Sequence, residues 1–254
     1  MTILCYHAVR DDWDSVLAVR VAEFEAHCRH LAARRTVVDL ETAVRRLDGS
    51  GRLPRGQTAI TFDDGFSDFA THAAPVLHRH GLPATMFLVA ETLTAAGRPV
   101  DWVVPKPSVA LTTLSVTEVL DLRDRGVTFG SHSYSHHDLD TLDAAECEHD
   151  LRTSREVLED VLGQPVTLLA YPRGRHNRLV RAAASRAGYR FAFTLPEAPE
   201  RASAHAVPRV GVYRDNTVTT LRVKGSRWYL PTRTSRAFGA LQTGRRALRR
   251  PRAG

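Results

Sequence analysis

The stretch "QTAITFDDGF", residues 57–66, decides how the rest of the chain is read. From Gln57 to Phe62 it is apolar and β-branched enough to predict a strand covered on both faces, and it stops abruptly on Asp63, Asp64 and Gly65. Adjacent carboxylates repel one another, and neither helps a core. At the end of a buried strand, such a doublet is therefore either a plain turn or part of a site. The other strands arbitrate.

They end in the same way. "TILCYHAV" (2–9) runs into Tyr6-His7, "VTFGSHSYSHHDL" (127–139) into His132 and His136, and "VTLLAYPRG" (166–174) into Tyr171-Pro172-Arg173, while "PATMFLVA" (83–90) is another doubly covered run. Between them lie helical patterns: "EFEAHCRHLAARR" (23–35), "ETAVRRLD" (41–48), "FATHAAPVLHRHG" (69–81), "SVTEVLDLRDRG" (115–126), "DAAECEHDLRTSREVLEDVLG" (143–163) and "NRLVRAAASRAG" (177–188). With the strands "TVVDL", "YRFAFTL" and "AVPRVGV", this alternation predicts an α/β barrel of about seven parallel strands in a single domain. The domain is expected over residues 1–232, and 233–254 reads as a basic, disordered tail. Residues 91–113 carry three prolines and neither period, and read as a long functional loop.

Composition narrows the classes. At 254 residues, 43% hydrophobic and 25% charged, the chain has globular proportions, and no apolar run approaches membrane-helix length. The net charge of +7 equals the seven arginines of 233–254, which hold no acid, so the body is close to neutral and a nucleic-acid groove across it is not expected. The tail reads as a solubilising terminus, or as a peripheral contact with an anionic membrane surface. "MTILCYHAV" lacks a basic n-region and a secretory-length apolar stretch, which leads to the expectation of a cytoplasmic protein. Cys5, Cys28 and Cys147 have no ligand-like spacing and read as free structural thiols.

Reactive residues of a βα barrel gather where strands end at the C-terminal face. His132 and His136, four apart, present both imidazoles to one side in a tight turn, and one carboxylate completes a two-histidine metal set with open positions. The doublet can then divide its work, one carboxylate on the metal and the other free as general base; Gly65 must redirect one of the two, because neighbours on a strand point to opposite faces.

"TFDDG", "HSYSH" and "YPRG" resemble, in order and spacing, the motifs of the polysaccharide deacetylases of carbohydrate esterase family 4, the NodB-homology domain. The resemblance spans roughly residues 3–215 and implies a distorted (β/α)7 barrel. It implies Asp63 as catalytic base, Asp64, His132 and His136 as ligands of a divalent ion (zinc, with cobalt, nickel or manganese as alternatives), and Ser133 as the hydroxyl supporting His136. The backbone N–H of Arg173 is implied as oxyanion donor. Two positions depart from the pattern: Ala170 stands where an arginine usually orients the base, and the late "LH" histidine is missing. "CYHAV" resembles bacterial members with a permuted strand order, which makes His7 the candidate acid. Tyr171, Pro172 and Trp102 are candidate substrate contacts; His72, His78, His80 and His137 read as solvated, and Phe66 and Phe69 as core. The implied activity is metal-dependent hydrolysis of the N-acetyl group of an amino sugar or glycan. O-deacetylation, hydrolysis of a small amide, or a glycan-associated scaffold without catalysis are the alternatives. Oligomeric state is left open.

Overall fold

A computed structural model describes residues 1–50 and 56–235, the side chains of 47–50 excepted; most of the Gly-rich stretch "GSGRLPRG" (49–56), which reads as a turn, and residues 236–254 of the expected basic tail lie outside the described residues. Along the chain come β1 (Thr2–Tyr6), β2 (Ala8–Val9), β3 (Ala18–Val19), α1 (Val21–Arg34), β4 (Thr36–Val37), α2 (Leu40–Ser50) and β5 (Gln57–Phe62). Then follow α3 (Ala74–Arg79), β6 (Thr85–Leu88), α4 (Val116–Asp124), β7 (Thr128–Ser131), α5 (Ala144–Leu162) and β8 (Leu168–Ala170). The described chain closes with α6 (Arg178–Arg186), β9 (Phe191–Thr194), β10 (Val207–Pro208), β11 (Val210–Gly211), α7 (Val218–Lys224) and α8 (Tyr229–Arg233).

The parallel order is β10-β9-β8-β7-β6-β5-β1-β11, a nearly closed barrel of eight strands ringed by helices, with β4 paired to the start of β5. Its two ends are covalent neighbours: Val207 and Pro208 pair with Phe193 and Thr194, whereas Val210 and Gly211 pair with Leu4 and Cys5. Arg209 alone separates them. Counted as one interrupted stave, 207–211 makes the barrel seven-staved, as expected for a distorted (β/α)7 fold.

Alternation along the strands sorts the core. Ile3, Ala59, Phe87, Leu168, Ala170, Phe191, Phe193 and Val207 form one buried cluster inside the barrel. Their neighbours Leu4, Tyr6, Ile60, Phe62, Met86, Leu88, Leu169 and Ala192 pack outward against the helices. Helix ends follow the sequence signals: Ser115 and Asp143 each form a reciprocal capping box, Asn177 caps α6, and Gly163 ends α5 at φ 65°. The 91–113 segment holds only a short 3₁₀ turn, at Ala90–Thr92, and isolated bridges, Phe66 to Thr113 and Pro99 to Thr112. Helices α7 and α8 lie beyond the helices read from sequence. No described helix is long and apolar enough to cross a membrane.

Candidate active site

Strand alternation places Asp63 on the same inward face as Ala59 and Thr61, and it is 1% exposed. Asp64 would point outward if the strand continued. Instead it adopts φ 72° and Gly65 φ 68°, a left-handed pair that turns the second carboxylate back over the barrel mouth. Among the described residues, the non-glycine positions with positive φ are Asp64, Ser133, His136 and Arg173, and all four belong to the site. Backbone strain concentrated this way marks a place where geometry is imposed by function.

The two carboxylates differ in their main partners, although His132 Nε2 is also 4.0 Å from Asp63 Oδ2. Asp64 Oδ1 lies 3.1 Å from His136 Nε2 and 3.5 Å from His132 Nε2. His132 Nδ1 lies 2.8 Å from the Ala170 carbonyl, and as donor there it leaves the Nε2 lone pair facing Asp64. Burial, partly opposed by Asp63, lowers His132 to about 4, so its ring is neutral at physiological pH. Although burial alone would raise Asp64, the hydrogen bond and charge of His136 bring it down to about 2. Two imidazoles and an ionised carboxylate, all with ligand atoms within 4.8 Å of one another, are a donor set suited to a divalent ion of the zinc type. Ser133 Oγ accepts the His136 N–H at 2.9 Å, and Asp150 accepts the Tyr134 N–H at 3.0 Å and the Ser135 hydroxyl at 3.2 Å, which fixes the 133–136 turn.

Asp63 is clamped from below. Arg209, 1% exposed, donates Nη1 to Oδ1 and Nη2 to Oδ2, both at 2.7 Å, and packs its guanidinium 5.2 Å from the centre of the Phe87 ring. Cys5 Sγ sits 3.3 Å from Oδ2. Burial works against the charge, but Arg209 outweighs it and holds the Asp63 carboxyl well below the usual range. Sequence reading missed Arg209. Its one signal was a lone arginine inside the apolar run "AVPRVGV". The guanidinium absent at Ala170 thus reaches the carboxylate from the barrel seam.

His7 is half-buried, with Nδ1 buried and unpartnered among the protein groups, and its ring offers an atom within 4.8 Å of the Asp63 carboxylate. Leu17, Trp102, Val103, Val104, Arg173, Leu195 and Tyr213 join it, Asp64 and the two histidines around a cavity of about 240 Å³. Trp102 donates Nε1–H to Asp64 at 3.3 Å and stacks on His136 with centroids 5.2 Å apart. Arg173 has φ 55° in a tight turn, and its side chain pairs with Asp138 and donates to the Trp102 carbonyl at 3.2 Å. It braces the loop instead of projecting freely.

Two expected substrate contacts need correcting. Tyr171 is fully buried on the outward face that follows inward Ala170; its ring stacks on His176, and its hydroxyl donates to the His205 carbonyl at 3.1 Å. Pro172 is likewise buried and opens the turn that carries Arg173. Neither lines the cavity. His78 and His137 are exposed, His72 is exposed but bonds the Val9 carbonyl through Nδ1, and His80 is half-buried against Glu25. Phe66 and Phe69 are core, and all three cysteines are free and buried.

The polysaccharide deacetylase family model matches residues 50–192. YxkH of Bacillus subtilis strain 168, a candidate polysaccharide deacetylase, is 26% identical over 216 residues, covering 84% of this chain and 71% of that protein. Among solved structures, the Streptococcus pyogenes deacetylase PplD in complex with acetate superposes with a TM-score of 0.75 at 23% identity, over 89% of this chain and 98% of its own. BC0361, a polysaccharide deacetylase from Bacillus cereus, gives 0.70 at 25% identity, over 88% and 68%.

Proposed function

Since the chain belongs to the polysaccharide deacetylase family and so removes acetyl groups from a glycan, we propose that it is a metal-dependent N-deacetylase acting on a glucosamine-type sugar or glycan, releasing acetate and a free amine. The observation carrying this reading is the split of the doublet: Asp63 locked by Arg209 and Asp64 facing both histidines.

Asp64, His132 and His136 would hold the ion, with zinc preferred by the nitrogen and carboxylate donors. When bound, it supplies Lewis acidity to the acetamide oxygen and to the attacking water. Asp63 is fully ionised and fixed in direction, so it is ready to receive the proton that water loses on attack. Arg209 keeps the carboxylate in its proton-accepting form at the expense of base strength, so what Asp63 contributes is constant ionisation and a fixed direction. The Arg173 N–H donates to the oxyanion as the carbonyl carbon becomes tetrahedral, its direction set by the left-handed turn. His7 hands a proton to the departing nitrogen, so that C–N cleavage yields acetate and neutral amine instead of an amide anion.

Acetate release from chitooligosaccharides, with and without chelator, tests the reading. Asp63→Asn should abolish turnover and keep stoichiometric metal, whereas His132→Ala or His136→Ala should lose the metal. Metal retained in His132→Ala would overturn the ligand set; turnover on O-acetyl sugars alone would overturn the N-acetyl preference.

A further inference from the structure

Five large hydrophobic residues are exposed among the described residues: Val16 at 68%, Val104 at 89%, Tyr213 at 38%, Val223 and Trp228. Val104 and Tyr213 line the catalytic cavity. Val16 precedes Leu17, which also lines it, and the Val16 carbonyl accepts the N–H of Arg214, the residue after Tyr213, at 2.9 Å. Val104 and Tyr213, with the less exposed Leu17 and Val103, thus give one apolar side to the cavity that holds His7, Asp64, His132 and His136, and the Val16 backbone lies beside Tyr213. Left to water, they carry the cost of hydrating apolar surface.

The lip is firmly rooted. Trp13, Ala18, Val100 and Leu111 form a buried cluster with Ala8 and Phe66, and Leu17, Trp102 and Val103 pack against it. Leu17 and Val103, from two segments, are anchored on this one small core, and Val103 holds the neighbouring Val104 at the opening. Charge does not explain the patch. Lys106 is exposed beside Val104, and Asp14 and Asp101 are exposed on the same two segments, a mixture that would not draw the lip to an anionic surface. A pyranose ring is an equally poor match, since sugars pack on flat aromatic faces and Trp102 already has one face on His136. Branched aliphatic side chains suit an alkyl chain. On the other side of the opening, through Arg173 and Leu195, lies a polar cleft with Arg175, His176, Arg181 and Glu200, which leaves the lip as the place for the apolar part of a substrate.

We propose that the lip is an aglycone site: the substrate is amphiphilic, its N-acetyl sugar enters the cavity, and an alkyl or isoprenoid chain lies across Leu17, Val103, Val104 and Tyr213. This rests on the N-deacetylase reading and sharpens it from glycan to glycolipid.

The test compares acetate release by the zinc-loaded chain from methyl and octyl N-acetyl-β-D-glucosaminide, both below micellar concentration. If two methylenes are engaged, KM for the octyl glycoside falls roughly tenfold. Val104→Asn should bring the two KM values together. A calorimetric titration with octyl β-D-glucoside, which has no acetyl group, reads the lip without turnover: it should bind the wild-type chain and bind the Val104→Asn variant much more weakly. Equal KM values for the two glycosides with turnover intact would overturn the aglycone site and leave the N-deacetylase reading standing. Acetate from neither glycoside, with octyl glucoside still bound, would overturn the N-deacetylase reading and retain the apolar lip; no octyl glucoside binding would overturn the lip whatever the turnover.

Discussion

Arg209→Met probes the link between the barrel seam and the catalytic carboxylate. The guanidinium makes two 2.7 Å bonds to Asp63, a third at 3.1 Å to Thr61 Oγ1, and both charged partners are essentially out of water. Removing it leaves Asp63 as an unpaired buried charge, a loss of roughly 3–5 kcal/mol. For a chain of this size that corresponds to a fall in melting temperature of roughly 6–20 °C. Asp63 should also lose the orientation that aims it at water, so kcat should fall about 100-fold or more. The decisive assay is a double-mutant cycle by urea unfolding of the metal-free protein. In an Asp63→Asn background no carboxylate is left uncompensated, and Arg209→Met should cost much less there than alone. Arg209→Lys keeps the charge and loses the two-pronged geometry, and should recover stability more than kcat. A cost below about 1 kcal/mol for Arg209→Met, or an equal cost in both backgrounds, would refute the buried clamp.

Other expectations are simpler. His7→Asn should lower kcat on acetamides by about 10²–10⁴-fold but fall much less on an aryl acetate, whose leaving group needs no proton; equal losses would remove His7 from the donor role. Gly174→Ala should destabilise by more than about 1 kcal/mol and lower kcat, because φ is +70° and the new Cβ would come within 2.4 Å of the Leu195 nitrogen beside the Arg173 turn; an unchanged urea midpoint would contradict this. His132 has its pKa lowered to about 4 from 6.5, so from pH 6.5 downward the unfolded chain gains a proton that the folded chain refuses. Metal-free stability should therefore fall across pH 6.5 to 4, by roughly 3 kcal/mol in the limit, and Asp64, lowered to about 2, should add a further loss below its ordinary carboxylate range. His132→Gln should flatten the upper window, and a wild-type midpoint that is flat between pH 7 and 4.5 would count against the buried neutral imidazole.

Much of the site was legible because local rules governed it. Strands announced themselves by composition, and His132, His136 and the doublet all fell at strand ends, where a βα barrel collects its chemistry. Tyr171 misled because its motif position suggested a contact, while the two-residue alternation that sends Ala170 inward sends Tyr171 outward. Arg209 escaped because nothing within "AVPRVGV" says which strands lie on either side of it. The sequence by itself determined the strand-and-helix alternation, the capped helices and the His132–His136 pair, since each depends on residues close together in the chain. Only the tertiary structure decided that Asp63 and Asp64 have different main partners, that an arginine 146 residues away holds the first, and that Leu17 shares the opening with Val103 and Val104. Those relations come from closing the barrel, which brings β11 beside β1 and sets Arg209 beneath the end of β5, a proximity that no local pattern encodes.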